Sequence, residues 1–375
     1  MKIYLTYNDT PSGIFSSQVL DLVNFFNSEF DDTVKLVSYI SIRGFFENRK
    51  LIKSELPDSI VIPMFPGVVN WRINIFSFRL ICFLLKPNAI IGRSVIATQI
   101  ALKQRKRVKI IYDGRGAITE EWHEYHVITD RGMLNEIESL EKECVLKSDF
   151  RMAVSSKLVD LWKDKYSYYE NMHAVIPCTL NSLFESTTIS NEIIYKRRKE
   201  LGYIKDDIVF VYSGSLAGWQ SINLMIEFIK TVLKKSTSHK ILFLSDLSQE
   251  IKFLQIEFPN QVQCLKLNPI DLPQYLIACD YGILIREKSV TNQVASPVKF
   301  AEYLACGLPV IISNELGDYS EFVKLNECGF ILTEFKTYNL EGIFLKEKIQ
   351  KISFENFSKK NYIEFYKKLF CINTT

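Results

Sequence analysis

Short runs rich in β-branched and aromatic residues alternate with longer amphipathic stretches along this chain, and they do so in two series. The first comprises 3–7, 34–39, 59–63, 89–92, 108–112, 152–154 and 174–176; the second comprises 208–212, 240–244, 281–285, 309–312 and 329–332. Strands separated by helix-length segments cannot pair as tight hairpins, so they line up in parallel with helices over both sheet faces. Two such series predict an α/β protein with two Rossmann-like, doubly wound domains. With 375 residues, 47% of them hydrophobic, the chain can fill two ordinary cores.

Pro177 breaks the rhythm, and 177–184 has no clear periodicity before a basic helical stretch at 195–201. The expected division is therefore 1–180 for the first domain and 181–353 for the second. The stretch 354–370 carries apolar residues at helical spacing, and a C-terminal helix over 354–375 is expected to rejoin the first domain.

The net charge of +3 is too small for wholesale nucleic-acid binding. Local excess exists, because 71–109 holds Arg72, Arg79, Lys86, Arg93, Lys103, Arg105, Lys106, Arg107 and Lys109 with no acidic residue. The eight cysteines are scattered without CxxC spacing and read as reduced thiols. The histidines form no ligand cluster, so neither metal nor cofactor is expected. The first residues lack the long apolar core of a signal peptide, which predicts a cytoplasmic location. The apolar run 73–85 is short for the roughly 20 residues that span a bilayer, and it is expected not to cross one.

In open parallel sheets ligands gather at the carboxyl ends of strands, and four turns there hold candidate residues. After 208–212 comes a small-residue turn with Gly214 and Ser215, which brings backbone close to a ligand at the start of helix 222–234. The segment 295–311 reads as a helix beginning near Pro297 and ending at Gly307. Lys299 near that helix start opposes the dipole unless an anion sits there. Glu302 shares its face and could bind hydroxyls, although a surface ion pair is equally compatible with the spacing. Arg286 follows strand 281–285, with Asn292 and Ser296 nearby. Asp113 and Arg115 follow 108–112, with Glu121 and His123 beyond; the glycines around Arg115 suggest a tight turn exposing it. Gly13, after the first strand, would permit close backbone approach.

The run Glu302-Tyr-Leu-Ala-Cys-Gly-Leu-Pro-Val-Ile resembles the signature helix of the retaining nucleotide-sugar glycosyltransferases of family 4, which have the GT-B fold. Tyr212-Ser-Gly-Ser-Leu resembles the first strand-turn of their donor domain. Ile176-Pro-Cys through Asn181 and Phe184 resembles their linker, and Leu140-Glu141, Ser148-Asp149 and Val154-Ser155 resemble the end of their acceptor domain. The resemblance implies two domains facing across a cleft, a nucleotide-sugar donor held mainly by the second and an acceptor by the first. It implies Asp113 near the reacting sugar, with Arg115, Glu121 and His123 on the acceptor side. Three family residues are missing: a Glu eight positions before Glu302 is Val294 here, and the diphosphate-holding Arg and Lys fall near Ser215 and Gln220. Lys299 and Arg286 are expected to supply that charge, with Gly13, Gly214, Ser215, Asn292, Ser296 and Glu302 completing the donor site.

The expected activity is sugar transfer from a nucleotide-sugar to a lipid-linked or saccharide acceptor in bacterial surface polysaccharide assembly. The basic segment 71–109 would contact anionic membrane at the inner face of the cell membrane. Two other readings stay open: a nucleotide-sugar epimerase of the same fold, which would lean on His123 and Glu121, and a non-catalytic partner subunit.

Overall fold

A computed structural model describes residues 1–333 except 66 and 107, together with 342 and 344–370. Arg107, Cys371 and the end of the expected C-terminal helix at 371–375 lie outside the described residues. The chain divides into two compact units, Met1–Asn181 with Lys359–Thr375, and Ser182–Ser358.

The first unit is built on a seven-stranded parallel sheet: β1 (Lys2–Tyr7), β2 (Val34–Ile40), β3 (Ile60–Pro63), β4 (Ala89–Arg93), β5 (Lys109–Gly114), β6 (Phe150–Ala153) and β7 (His173–Val175), in the order β3-β2-β1-β4-β5-β6-β7. These strands are near-continuous apolar runs because helices cover both faces. One core gathers Tyr4, Leu36, Ile91, Ile111 and Met152 against Phe15, Val19, Phe26 and Ile52. Order reverses between β1 and β4, so the turns after these two strands diverge and open a crevice.

The second unit has β8 (Ile208–Ser213), β9 (His239–Leu244), β10 (Val262–Leu265), β11 (Tyr281–Leu284), β12 (Val310–Ser313) and β13 (Gly329–Leu332), all parallel, in the order β10-β9-β8-β11-β12-β13. Its switch point lies between β8 and β11. The edge strand β10 has no counterpart in the sequence reading, because Gln263 and Cys264 interrupt its apolar pattern. The helix Ile222–Lys235 buries Met225, Phe228, Ile229 and Val232 along one face and ends on Lys234 and Lys235, which suit the negative dipole end.

The expected continuous helix from 354 is broken. One helix, Lys346–Phe357, stops at Ser358, whose extended backbone (φ −67°, ψ 138°) ends the turn, and a second, Ile363–Phe370, follows a short 3-10 segment. Residues from Lys359 belong to the first unit: buried Lys359 pairs with Asp21 and donates to the Leu180 carbonyl, while Tyr366 stacks edge-on against Phe26. The stretch 73–85 also differs from expectation in length. The helical run starts at Val68, with a 3-10 segment Val68–Ile73 leading into helix Asn74–Leu85.

Candidate functional site

In the second unit the helix Val298–Ala305 fixes the geometry. Its C-terminal end closes with Gly307 in the left-handed region (φ +71°); Gly307 N donates to the Leu304 carbonyl and Leu308 N to the Tyr303 carbonyl. This is the glycine-terminated pattern the sequence implied. Tyr303 points back to the sheet, where its hydroxyl accepts from Ser213 N at 2.8 Å and so pins the end of β8 to the helix.

That clamp brings four chain segments together. Lys299 is buried, 9% exposed, and its Nζ donates to Gln220 Oε1 at 2.8 Å. The ammonium also lies 4.1 Å from the Tyr212 ring centre, a cation–π contact. Arg286, 7% exposed, directs Nη2 at the same Gln220 oxygen (3.3 Å) and Nη1 at Asn292 Oδ1 (3.2 Å). Arg286 is thus a buried group aimed inward. Asn292 Nδ2 in turn donates to the Glu287 carbonyl.

Two cations therefore converge on one carboxamide oxygen. Among the described residues no carboxylate forms an ion pair with Lys299. Burial, and then the neighbouring Arg286 charge, hold the Lys299 pKa well below the usual lysine range; Glu302 opposes this weakly. Glu302 lies one turn further on, and burial raises its pKa to about 7. The arrangement gathers two buried cationic side chains around one neutral oxygen, a setting suited to an anionic group.

Gly214 (φ +118°) completes the wall. A Cβ there would sit 2.8 Å from Lys299 Cε, so the turn needs glycine both for its dihedral and for the lysine's approach. Ser215 is exposed in the same turn and its carbonyl accepts from Tyr212 Oη. Ser296 is engaged elsewhere, its Oγ 2.8 Å from Tyr319 Oη. Gln220, flagged in the sequence only as the place of a missing cation, is the bridge between the two cations present. Val294 is buried.

The first unit holds a second polar cluster, at the ends of β1, β4 and β5. Asp113 is fully buried: Tyr4 Oη donates to its Oδ2 at 2.5 Å, Arg93 Nη1 lies 3.7 Å away and Arg115 Nη1 3.5 Å away. Asp113 thus anchors two guanidinium groups at the end of its strand. Arg115 is likewise turned inward, with Nη2 donating to Gln18 Oε1 and Cys178 Sγ, both at 3.0 Å. Its neighbour Gly114 abuts the Trp162 ring, while Gly116 meets open space. A Cβ on Gly13 would also meet open space, and its dihedral is an ordinary one.

Arg93 was read only as one of the basic residues of 71–109, and Asp9 was not placed among the candidate site residues. Arg93 Nε lies 3.2 Å from Asp9, whose pKa burial raises against the lowering effect of Arg93. Asn8 and Ser94 beside them adopt left-handed backbone (φ +59° and +64°), a strain that structures tend to hold at functional places. Glu121 and His123 ride on helix Ile118–Glu124, and His123 is exposed. Buried Glu141 orients that helix by accepting from Ile118 N, Thr119 N and Thr119 Oγ1. Among the described residues no group of three His, Cys, Asp or Glu side chains could hold a metal ion.

Two parallel-sheet units, each with a switch point in its strand order, define a class: the fold is that of GT-B glycosyltransferase structures. More particularly, residues 194–343 match the family described as glycosyl transferases group 1. The fold is similar to a glycosyltransferase from Rickettsia africae ESF-5 (TM-score 0.73, 15% identity, 99% of each chain covered). It is also similar to HepE of Anabaena, solved with UDP (0.71, 15%, 99% of each chain). A third similar structure is WaaG, a glycosyltransferase involved in lipopolysaccharide biosynthesis (0.63, 12%, 98% of this chain and 93% of that one). No curated protein matches the chain by sequence.

Proposed function

We propose that this protein transfers a sugar from a nucleotide-sugar donor to a lipid-linked or saccharide acceptor, with retention of anomeric configuration, in the assembly of a bacterial surface polysaccharide of capsule or O-antigen type. The observation that carries the reading is the buried Lys299 ammonium, held with Arg286 on the single acceptor oxygen of Gln220. Buried Lys299, held by a neutral carboxamide and an aromatic face with a second cation beside it, invites an anionic ligand, and a diphosphate supplies that charge.

In the transfer, the bond from the sugar's anomeric carbon to the distal phosphate oxygen breaks while the acceptor oxygen bonds to that carbon. The acceptor's hydroxyl proton passes to the departing diphosphate. Negative charge grows on that diphosphate, so Lys299 and Arg286 act where the transition state differs from the ground state. They supply the charge themselves, and no resident metal or cofactor is invoked. Glu302 binds hydroxyls of the nucleoside sugar, and Asn292 with Gln220 keeps the cations in place. Gly214 and Ser215 offer backbone to the phosphates.

Asp113 positions Arg93 and Arg115, which meet the acceptor together with Glu121 and His123. HepE, crystallised with UDP and with UDP and glucose, makes a uridine nucleotide the first donor to try, and WaaG supports a lipopolysaccharide-type product. The place of action is the cytoplasmic face of the cell membrane, with contact through 71–109.

Incubation of the protein with labelled nucleotide-sugars and lipid extracts, followed by chromatography, tests this directly. Label should pass into the lipid fraction and free nucleoside diphosphate should accumulate in step. A nucleotide-sugar converted to its epimer, with no transfer, would overturn the proposal.

A further inference from the structure

The helix Asn74–Leu85 is apolar on both sides. Its inner face is fixed to the first unit: Phe78 and Ile81 are buried, the Asn74 carboxamide donates to Tyr7 Oη and accepts from Phe65 N, and Ser77 Oγ lies 2.8 Å from Tyr39 Oη. Its outer face carries Phe76 (72% exposed), Leu80 (60%), Phe83 (67%) and Leu84 (68%). Those positions recur at i, i+4, i+7 and i+8, so they form one stripe. A run of exposed large apolar side chains on this scale marks an interaction site.

Charge says which partner. Arg79 and Lys86 are exposed, seven residues apart, and therefore share one flank of the stripe. Neither has an ion-pair partner among the described residues, whereas Arg72 pairs with Glu136 and is set aside. Lys86 ends its helix at the amino end of β4, and exposed Lys103, Arg105 and Lys106 precede the adjacent strand β5, so these basic groups gather at the amino ends of two neighbouring strands. No acidic residue occurs between Asp58 and Asp113.

Resting on the proposed transfer to a membrane-held acceptor, we infer that the outer face of helix Asn74–Leu85 lies in the surface of an anionic lipid bilayer, with Phe76, Leu80, Phe83 and Leu84 among the acyl chains and Arg79 and Lys86 on the headgroups. Such a helix has an apolar face for the acyl boundary and cations for anionic lipid. The helical run Val68–Leu85 meets the length and apolarity of a membrane span, with 18 residues and mean hydropathy 1.5. It lies on the membrane instead, because its inner side chains are committed to the sheet. Twelve α-helical residues also reach only about 18 Å, against a hydrocarbon core of about 30 Å.

Flotation of the full chain with vesicles of phosphatidylcholine alone, or with roughly a third phosphatidylglycerol, tests the inference. The protein should float with the anionic vesicles and be released as salt is raised. Phe76→Ser with Phe83→Ser should lower the floated fraction about tenfold, and Arg79→Gln with Lys86→Gln should abolish the preference for anionic vesicles. Nucleoside diphosphate binding should be unchanged in both variants, which shows that they fold. A parent chain that stays unbound, or a phenylalanine variant that floats like the parent, would overturn the inference. So would a parent dimer that the phenylalanine substitutions convert to monomer, since the face would then belong to a second copy. Loss of nucleoside diphosphate binding in the parent would instead sink the proposed donor site and leave vesicle binding standing.

Discussion

Lys299 occupies the first turn of its helix, where a cation works against the dipole, and it is buried as well. Gln220 and the Tyr212 ring offset part of these costs, and under the proposed function a bound anion offsets the rest. Replacing it with alanine removes a donor aimed at developing charge, so kcat should fall by about 10²–10³ at saturating donor. Steady-state transfer assays check this, and near-normal kcat would remove the assignment.

Glu302 gives a second test at the same scale. Its folded pKa, about 7, lies above the ordinary 4.5, so its neutral form is the one the fold prefers. The stabilising contribution is complete below pH 4.5 and is lost as pH rises through 7. Glu302→Gln should therefore flatten the decline in melting temperature across that window, a difference of at most about 3 kcal/mol at pH 8. Thermal melts of the ligand-free protein at several pH values measure it; parallel curves for parent and variant would contradict the burial argument.

At the scale of elements, the turn after β8 and the helix Val298–Ala305 form one device. Gly214→Ala places a Cβ against Lys299 Cε and forces an L residue to φ +118°. The displaced ammonium leaves Gln220, and donor affinity should drop about tenfold, the worth of one charged hydrogen bond. Equilibrium binding of a nucleoside diphosphate reads this out, and an unchanged Kd would separate the turn from the site.

This device was legible in the sequence because its punctuation is local: Pro297, Lys299, Glu302 and Gly307 are read within one helix. Most strands were legible for the same reason, since buried parallel strands are continuous apolar runs. Strand β10 was not, because an edge strand tolerates Gln263 and Cys264. Gln220 meets Lys299 across 79 residues of chain and Arg286 across 66, and no local pattern announces such a meeting. Arg93 and Asp9 escaped for the same reason. Arg115 was read as exposed because flanking glycines speak of the backbone, whereas Gln18, Asp113 and Cys178 decide where the side chain goes.

At the scale of the whole molecule, the chain leaves the first unit after Asn181 and returns to it at Lys359. Tyr366 and Leu369 complete the core of that unit beside Phe25 and Phe26. Ending the chain at Ser358 removes the buried side chains of Lys359, Tyr366 and Leu369 and takes from Asp21 its Lys359 partner. The first unit should lose at least about 4 kcal/mol, enough to unfold it or lower its melting temperature by 10 °C or so. Calorimetry of the truncated chain should show one transition lost or shifted down while that of Ser182–Ser358 persists; two unshifted transitions would contradict this.

The central claim is that the cation pair on Gln220 is a diphosphate site, and titration calorimetry of the parent chain and Lys299→Ala with uridine, UMP and UDP tests it most directly. Affinity in the parent should rise steeply with each phosphate, and Lys299→Ala should bring UDP down toward UMP. Equal affinities for all three ligands, or a Lys299→Ala protein that binds UDP as the parent does, would contradict it.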